Sequence, residues 1–210
     1  MNLSFGKYKD KSCNEIFTKD KHYIIWLCDQ SWFKEQHNEL YNYCMNIKNS
    51  EKIKKNDNVF IIYTDGACSN NGMKNPKCSI GVHFSEKNKI KLGDVSERLF
   101  VEDPSNNVAE LYAILRSFEM VKENNIKISV KLYTDSSYCY KIINEWYDKW
   151  IKNNLLDNKK NLDIIERIMK LYKTMDIKLF HVKAHTKNLD EHSIGNRIAD
   201  QLAKNALRKK

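Results

Sequence analysis

The rhythm of apolar and polar positions changes at Val59. Before it, from Cys13 onward, Ile16, Phe17, Tyr23, Ile24 and Leu27 recur at helical intervals. Tyr8 to Ser12 reads as a turn between two short strands, and Trp26, Trp32, Phe33, Leu40, Tyr41 and Cys44 supply the bulk of a small core. Residues 1–47 are expected to form a small α+β module. Residues 48–58 (KNSEKIKKNDN) are charged and poor in apolar side chains, and read as a linker.

From Val59 the pattern shortens. Val59–Tyr63 is an apolar run typical of a buried strand. Cys78–Phe84 and Val95–Phe100 alternate, and Ile128–Thr134 and Ile177–His181 add two more strand candidates. Gly66, Asn70-Asn71-Gly72 and Asn88 mark turns. A helix is predicted from Ser105, with Leu111, Leu115, Phe118 and Val121 on one face. Others are predicted over Ser136 to about Lys152, about Leu162 to Lys173, and Ser193 to about Leu207. Strands alternating with helices around a mixed sheet place residues 59–210 in the α/β class.

Charge adds a partner class. The formal net charge is +9, an excess that favours a polyanion. Residues 1–50 carry seven Lys against three Asp and three Glu, so most of the excess lies in the larger unit. The six cysteines form no C-x-x-C pair, and Cys13, His22, Cys28, His37 and Cys44 lack regular zinc-ligand spacing. Free thiols fit a reducing compartment. No apolar stretch is long enough to span a membrane, and the first residues lack an apolar signal core. The expectation is an intracellular monomer, in cytoplasm or nucleus, neither secreted nor membrane-bound.

Candidate chemistry lies in four acids. Asp65 is expected at the end of the first strand of this unit, Asp135 at the end of the fourth, Glu110 in the first turn of a helix and Asp200 inside the last helix. Singly, each has an ordinary reading as a turn former or a complement to a helix dipole. Together, with no basic partner evident in sequence, they would repel one another unless cations sat between them. Such a set suits divalent ions, and paired ions suit phosphoryl chemistry.

The motifs around these acids resemble those of the type 1 ribonuclease H family. They are Tyr63-Thr64-Asp65-Gly66-Ala67, Asn106-Asn107-Val108-Ala109-Glu110-Leu111, Tyr133-Thr134-Asp135-Ser136, His181-Val182-Lys183-Ala184-His185 and Gly195-Asn196 with Ala199-Asp200-Gln201-Leu202-Ala203. The resemblance covers residues 59–207. It implies a ribonuclease H-like fold, a mixed five-stranded sheet flanked by helices. It also implies hydrolysis of the RNA strand of RNA–DNA hybrids with two Mg2+ ions, Mn2+ being a substitute, to leave 5′-phosphate and 3′-hydroxyl ends. Asp65, Glu110, Asp135 and Asp200 become metal ligands, Asp65 bridging both ions, and His185 an auxiliary residue that shuttles a proton or helps to release product. A non-catalytic hybrid-binding protein and another metal nuclease of the same architecture are the alternatives. The complete set of acids argues against the first.

For the substrate, the resemblance implies Asn106 and Asn107 near the cut, with Asn70 beside them and Asn161 toward a phosphate. The segment from Trp146 to Lys152 resembles an aromatic and basic protrusion, with Trp146, Lys149, Trp150 and Lys152 on the DNA strand. Core packing is the competing reading for both tryptophans. Lys159 and Lys160 add attraction for phosphate. Two departures stand out. The connection Thr186–Ile194 is longer than usual and offers His192 as a substitute for His185, and Asp103 stands where several members carry Arg. His22, His37, His83 and His181 read as structural or surface residues. The N-terminal module is similar to a short module attached to some exonucleases, and reads as a nucleic-acid handle or as a stabilising or partner-binding appendage.

Overall fold

The computed structural model describes residues 1–56, 59–184 and 188–208, with backbone alone for 50–56. The chain forms two compact units, Met1–Asn58 and Val59–Lys210.

The first unit is helical. Gly6 and Asp10 take left-handed backbone angles, and the chain folds back so that Asn2 and Ser12 form one isolated bridge. The two expected strands shrink to that bridge because Ser12 already caps α1 (Cys13–Lys19), in a reciprocal capping box with Glu15. There follow α2 (Lys21–Cys28), α3 (Ser31–Gln36) and α4 (Asn38–Asn56). The expected linker is thus helix as far as Asn56. Its lysines and glutamate are good helix formers, and Lys48 anchors it to Asp29 at 3.0 Å. Leu3, Ile16, Phe17, Ile24, Leu27 and Phe33 fill the core, with Cys13 and Cys44 in thiol contact at 3.5 Å. Trp26, expected in that core, is half exposed and lies against Tyr23, because Ile24, Leu27 and Cys28 occupy the inward face of α2.

The second unit is a five-stranded mixed sheet in the order β3-β2-β1-β4-β5. The strands are β1 (Val59–Ser69), β2 (Lys77–Phe84), β3 (Val95–Leu99), β4 (Ser129–Thr134) and β5 (Ile177–His181). β1, β2 and β3 pair antiparallel, while β4 and β5 run parallel to β1. The helices are α5 (Asn106–Glu123, capped by Ser105), α6 (Ser137–Lys141), α7 (Tyr147–Lys152), α8 (Leu162–Tyr172) and α9 (Glu191–Arg208). The single helix predicted over 136–152 is interrupted by a π-helical turn at Ile142–Trp146.

Alternation along β1 separates two layers. Phe60 and Ile62 join Ile80, Val82 and Phe84 in the main core with Leu111, Ile114, Phe118, Ile165 and Ile168 of α5 and α8. The opposite face carries an aromatic ladder in register, His83–Tyr63–Tyr133–Phe180, with neighbouring ring centroids 5.8, 5.4 and 5.2 Å apart. Ala199 of α9 packs against it. Two glycines set the approach of the helices. A Cβ on Gly66 would lie 2.3 Å from the backbone nitrogen of Glu110, and one on Gly81 would lie 2.1 Å from the carbonyl oxygen of Ala199. Gly66→Ala is therefore expected to lower stability by about 1–3 kcal/mol, since backbone must move, and to separate Glu110 from Asp65. Denaturant midpoints for the variant and the parent chain check it.

Candidate metal centre and substrate groove

The sheet register brings the first two acids together. β1 is longer than its apolar run, because Asp65–Ser69 continues antiparallel to β2 from Asp65↔Gly81 to Ser69↔Lys77. Asp65 therefore lies inside the strand rather than at its end. The parallel ladder with β4 does stop at Thr64↔Thr134, so Asp65 and Asp135 emerge side by side where it ends. This is the carboxyl end of parallel strands, the usual place for a site in such sheets. Glu110 comes from the first turns of α5. Ligand oxygens of Asp65, Glu110 and Asp135 all lie within 4.8 Å of one another.

Electrostatics here is unfavourable without a cation. Asp65 is 6 % exposed, and burial, then the neighbouring Asp135 and Asp200, pushes its carboxyl up to about 7. Burial, then Asp65 and Asp135, raises Glu110 well above the usual carboxylate range. The Oε2 atom of Glu110 is buried and has no hydrogen-bond partner among the described residues. Oxygen donors at this spacing, one of them orphaned, suit a hard divalent ion.

Asp200 differs from the other three. It raises Asp65 from nearby but is not part of the tight cluster, and Lys204 one turn along α9 pairs with it at 2.7 Å. The expectation that no basic partner exists fails for this acid. The signal was the i,i+4 spacing of Asp200 and Lys204. His185 lies outside the described residues. His192, its suggested substitute, is packed rather than free. Its ring stacks on Tyr133 at 4.0 Å, and its Nδ1 lies 3.1 Å from the Tyr63 hydroxyl. Asn196, to which no role was given, donates from Nδ2 to Asp135 Oδ2 at 2.8 Å.

A groove of about 1080 Å³, lined by none of the four acids, has walls that include Asn107, Trp146, Trp150, Lys159, Lys160 and Asn161. The tryptophans are half-buried, their rings 6.1 Å apart, so they border both core and groove, and Lys159 lies over Trp150 at 5.0 Å. Asp103 also lines the groove, which puts an acid against the place expected to take phosphate. Lys149 and Lys152 are exposed but do not line it. Asn70 and Asn106 do not line it either. Asn71, overlooked beside Asn70, accepts a hydrogen bond from the Asn106 backbone at 3.1 Å and so ties the β1–β2 turn to the start of α5.

Residues 56–208 match the family model described as RNase H. The chain belongs to the ribonuclease H family. Its members are hydrolases. A ribonuclease H of Clostridium botulinum is 34% identical over 155 residues, covering 70% of this chain and 94% of that protein. Human ribonuclease H1 is 33% identical, covering 69% of this chain but 48% of the human protein. Among solved structures, the ribonuclease H domain of PFV aligns at a TM-score of 0.57 with 25% identity, covering 70% of this chain and 93% of that domain. Residues 3–31 match a model described as exodeoxyribonuclease X-like C-terminal. The first unit of this ribonuclease H thus has its own family likeness. Among the described residues, no helix is long and apolar enough to cross a membrane.

Proposed function

We propose that this ribonuclease H is an endonuclease that cleaves the RNA strand of RNA–DNA hybrids, leaving 5′-phosphate and 3′-hydroxyl ends. Residues 59–210 form its catalytic domain and residues 1–47 an accessory module. The observation that best supports this reading is the convergence of three mutually repelling carboxylates, Asp65, Glu110 and Asp135, from three elements onto one point. Two Mg2+ ions held there would activate a water and offset charge on the leaving 3′ oxygen.

The chain's own groups divide the remaining work. Asp65, Glu110 and Asp135 would hold the ions, and Asp200, now paired with Lys204, would join them. The three uncompensated acids supply negative charge that no protein cation neutralises among the described residues, which favours divalent over monovalent ions. Asn107 and Asn161 offer amides to a minor groove bearing 2′-hydroxyls, the feature that separates RNA from DNA. Trp146 and Trp150, with Lys159 and Lys160, form the wall that takes the other strand, the tryptophans offering ring faces and the lysines charge. His185 is the auxiliary proton carrier. The six cysteines are all free, which fits an intracellular home.

The deciding experiment incubates the purified chain and Mg2+ with a labelled RNA–DNA hybrid, double-stranded RNA and duplex DNA. Cleavage of RNA in the hybrid alone is the expected result. Binding without cleavage, or cleavage of DNA, overturns the proposal.

A further inference from the structure

We infer that Asn196 is a positioning residue that fixes the Asp135 carboxylate for metal, and that the start of α9 is built to deliver it. This rests on the metal reading of the acidic cluster. Three observations meet at this helix end. The Asn196 side chain is 4 % exposed, and its Nδ2 donates to Asp135 Oδ2 at 2.8 Å. The opposite amide orientation would set its oxygen against a carboxylate oxygen, so the donor must face Asp135. Its Oδ1 is buried with no partner among the described residues. A buried amide with only half of its polar atoms satisfied is costly, and such a cost is retained where the satisfied half has a task.

The neighbouring residues hold that amide in place. Gly195 lies so close to the Tyr63 ring that a Cβ would come within 2.4 Å of it, and Tyr63 is itself buried. One turn earlier, His192 stacks on Tyr133 and meets the Tyr63 hydroxyl. Tyr63 stands two residues before Asp65 on β1, and so on the same face, and Tyr133 stands two residues before Asp135, which directly follows β4. The helix end is therefore registered against the strands that carry the acids, and Asn196 faces Asp135 as a result. Asp135 is further held at its backbone, where its carbonyl oxygen lies 3.1 Å from His181 Nε2. A carboxylate held in this way has less rotamer freedom to lose when an ion binds. Partners that orient metal ligands typically account for 10–100-fold in metal affinity.

The test is Asn196→Ala in the full chain, probed with Mg2+ alone. The apparent dissociation constant is read from the Mg2+-dependent rise in melting temperature, with circular dichroism and melting in chelator as controls for folding. We expect Mg2+ affinity to fall by about 10-fold or more. We also expect the Mg2+ concentration for half-maximal cleavage to rise in parallel, while KM for the hybrid stays within about twofold. Should the alanine variant fail to fold, Asn196→Ser, whose hydroxyl is too short to reach Asp135, is read by the same measurements. Unchanged Mg2+ affinity in a folded variant, or a change confined to KM for the hybrid, overturns the inference. Absence of any Mg2+ response in the parent chain overturns the metal reading itself, so the two failures are distinct.

Discussion

Replacing Asp135 by Asn is expected to lower hybrid cleavage at saturating Mg2+ by roughly 10³-fold, with hybrid affinity changed only a few-fold. The substitution keeps the size of the side chain and removes one charge from a three-carboxylate cluster. A ligand to a catalytic ion contributes several kcal/mol of transition-state stabilisation, and about 4 kcal/mol corresponds to that factor. Binding persists because the groove that would grip the substrate is lined by other residues, among them Asn107, Trp146, Trp150 and Lys160. Asn196 remains beside the new amide, which can still accept from it. Single-turnover rates and a filter-binding titration on the same hybrid measure the two effects. Turnover near that of the parent chain rules out a metal role for Asp135.

The second large effect is on stability. In chelator, Asp65→Asn is expected to raise the melting temperature at pH 8 by about 4–8 °C, corresponding to roughly 2 kcal/mol in a domain of this size. The direction follows from linkage. The Asp65 carboxyl titrates near 7 in the fold and near 4 in the unfolded chain, so the folded state binds more protons between those values. Its contribution is most favourable below about pH 4, is lost progressively as pH rises toward 7, and is a constant penalty above. Glu110, also raised, acts in the same sense. The gap between variant and parent should therefore be small at pH 5 and widest at pH 8. Millimolar Mg2+ should close or reverse it, because only the parent cluster keeps its full charge for the ion. A gap independent of pH and Mg2+ would mean that Asp65 is not strained by its neighbours.

What sequence alone reveals follows from how each feature is encoded. The strands and helices of the second unit show because apolar residues repeat at their periods, as in Ile177–His181 and on the α5 face. The half of β1 beyond Tyr63 does not show, since Asp65–Ser69 is small and polar and is held as strand by pairing with β2. The acids were visible through their short motifs, but their meeting depends on strand register and on the closeness that Gly66 permits. The helix over Lys48–Asn56 was masked by its charge, which signals solvent rather than irregularity. Trp26 has the size of a core residue, but position on a helix face decides burial. That Asn71 ties the turn to α5 depends on a turn in which Asn70 is left-handed, and no periodicity reports that.

The pairing of Lys204 with Asp200 makes the acidic centre lopsided. Three of its charges have no resident counter-charge among the described residues, and the fourth already has one. At Asp65 and Glu110, whose carboxyls are pushed up, an incoming dication displaces protons, whereas at Asp200 it meets an ammonium group. On the proposed two-ion reading, the two positions would differ in what an ion has to displace. Acidity would then oppose the ion at the triad, and the ammonium of Lys204 would oppose it at Asp200.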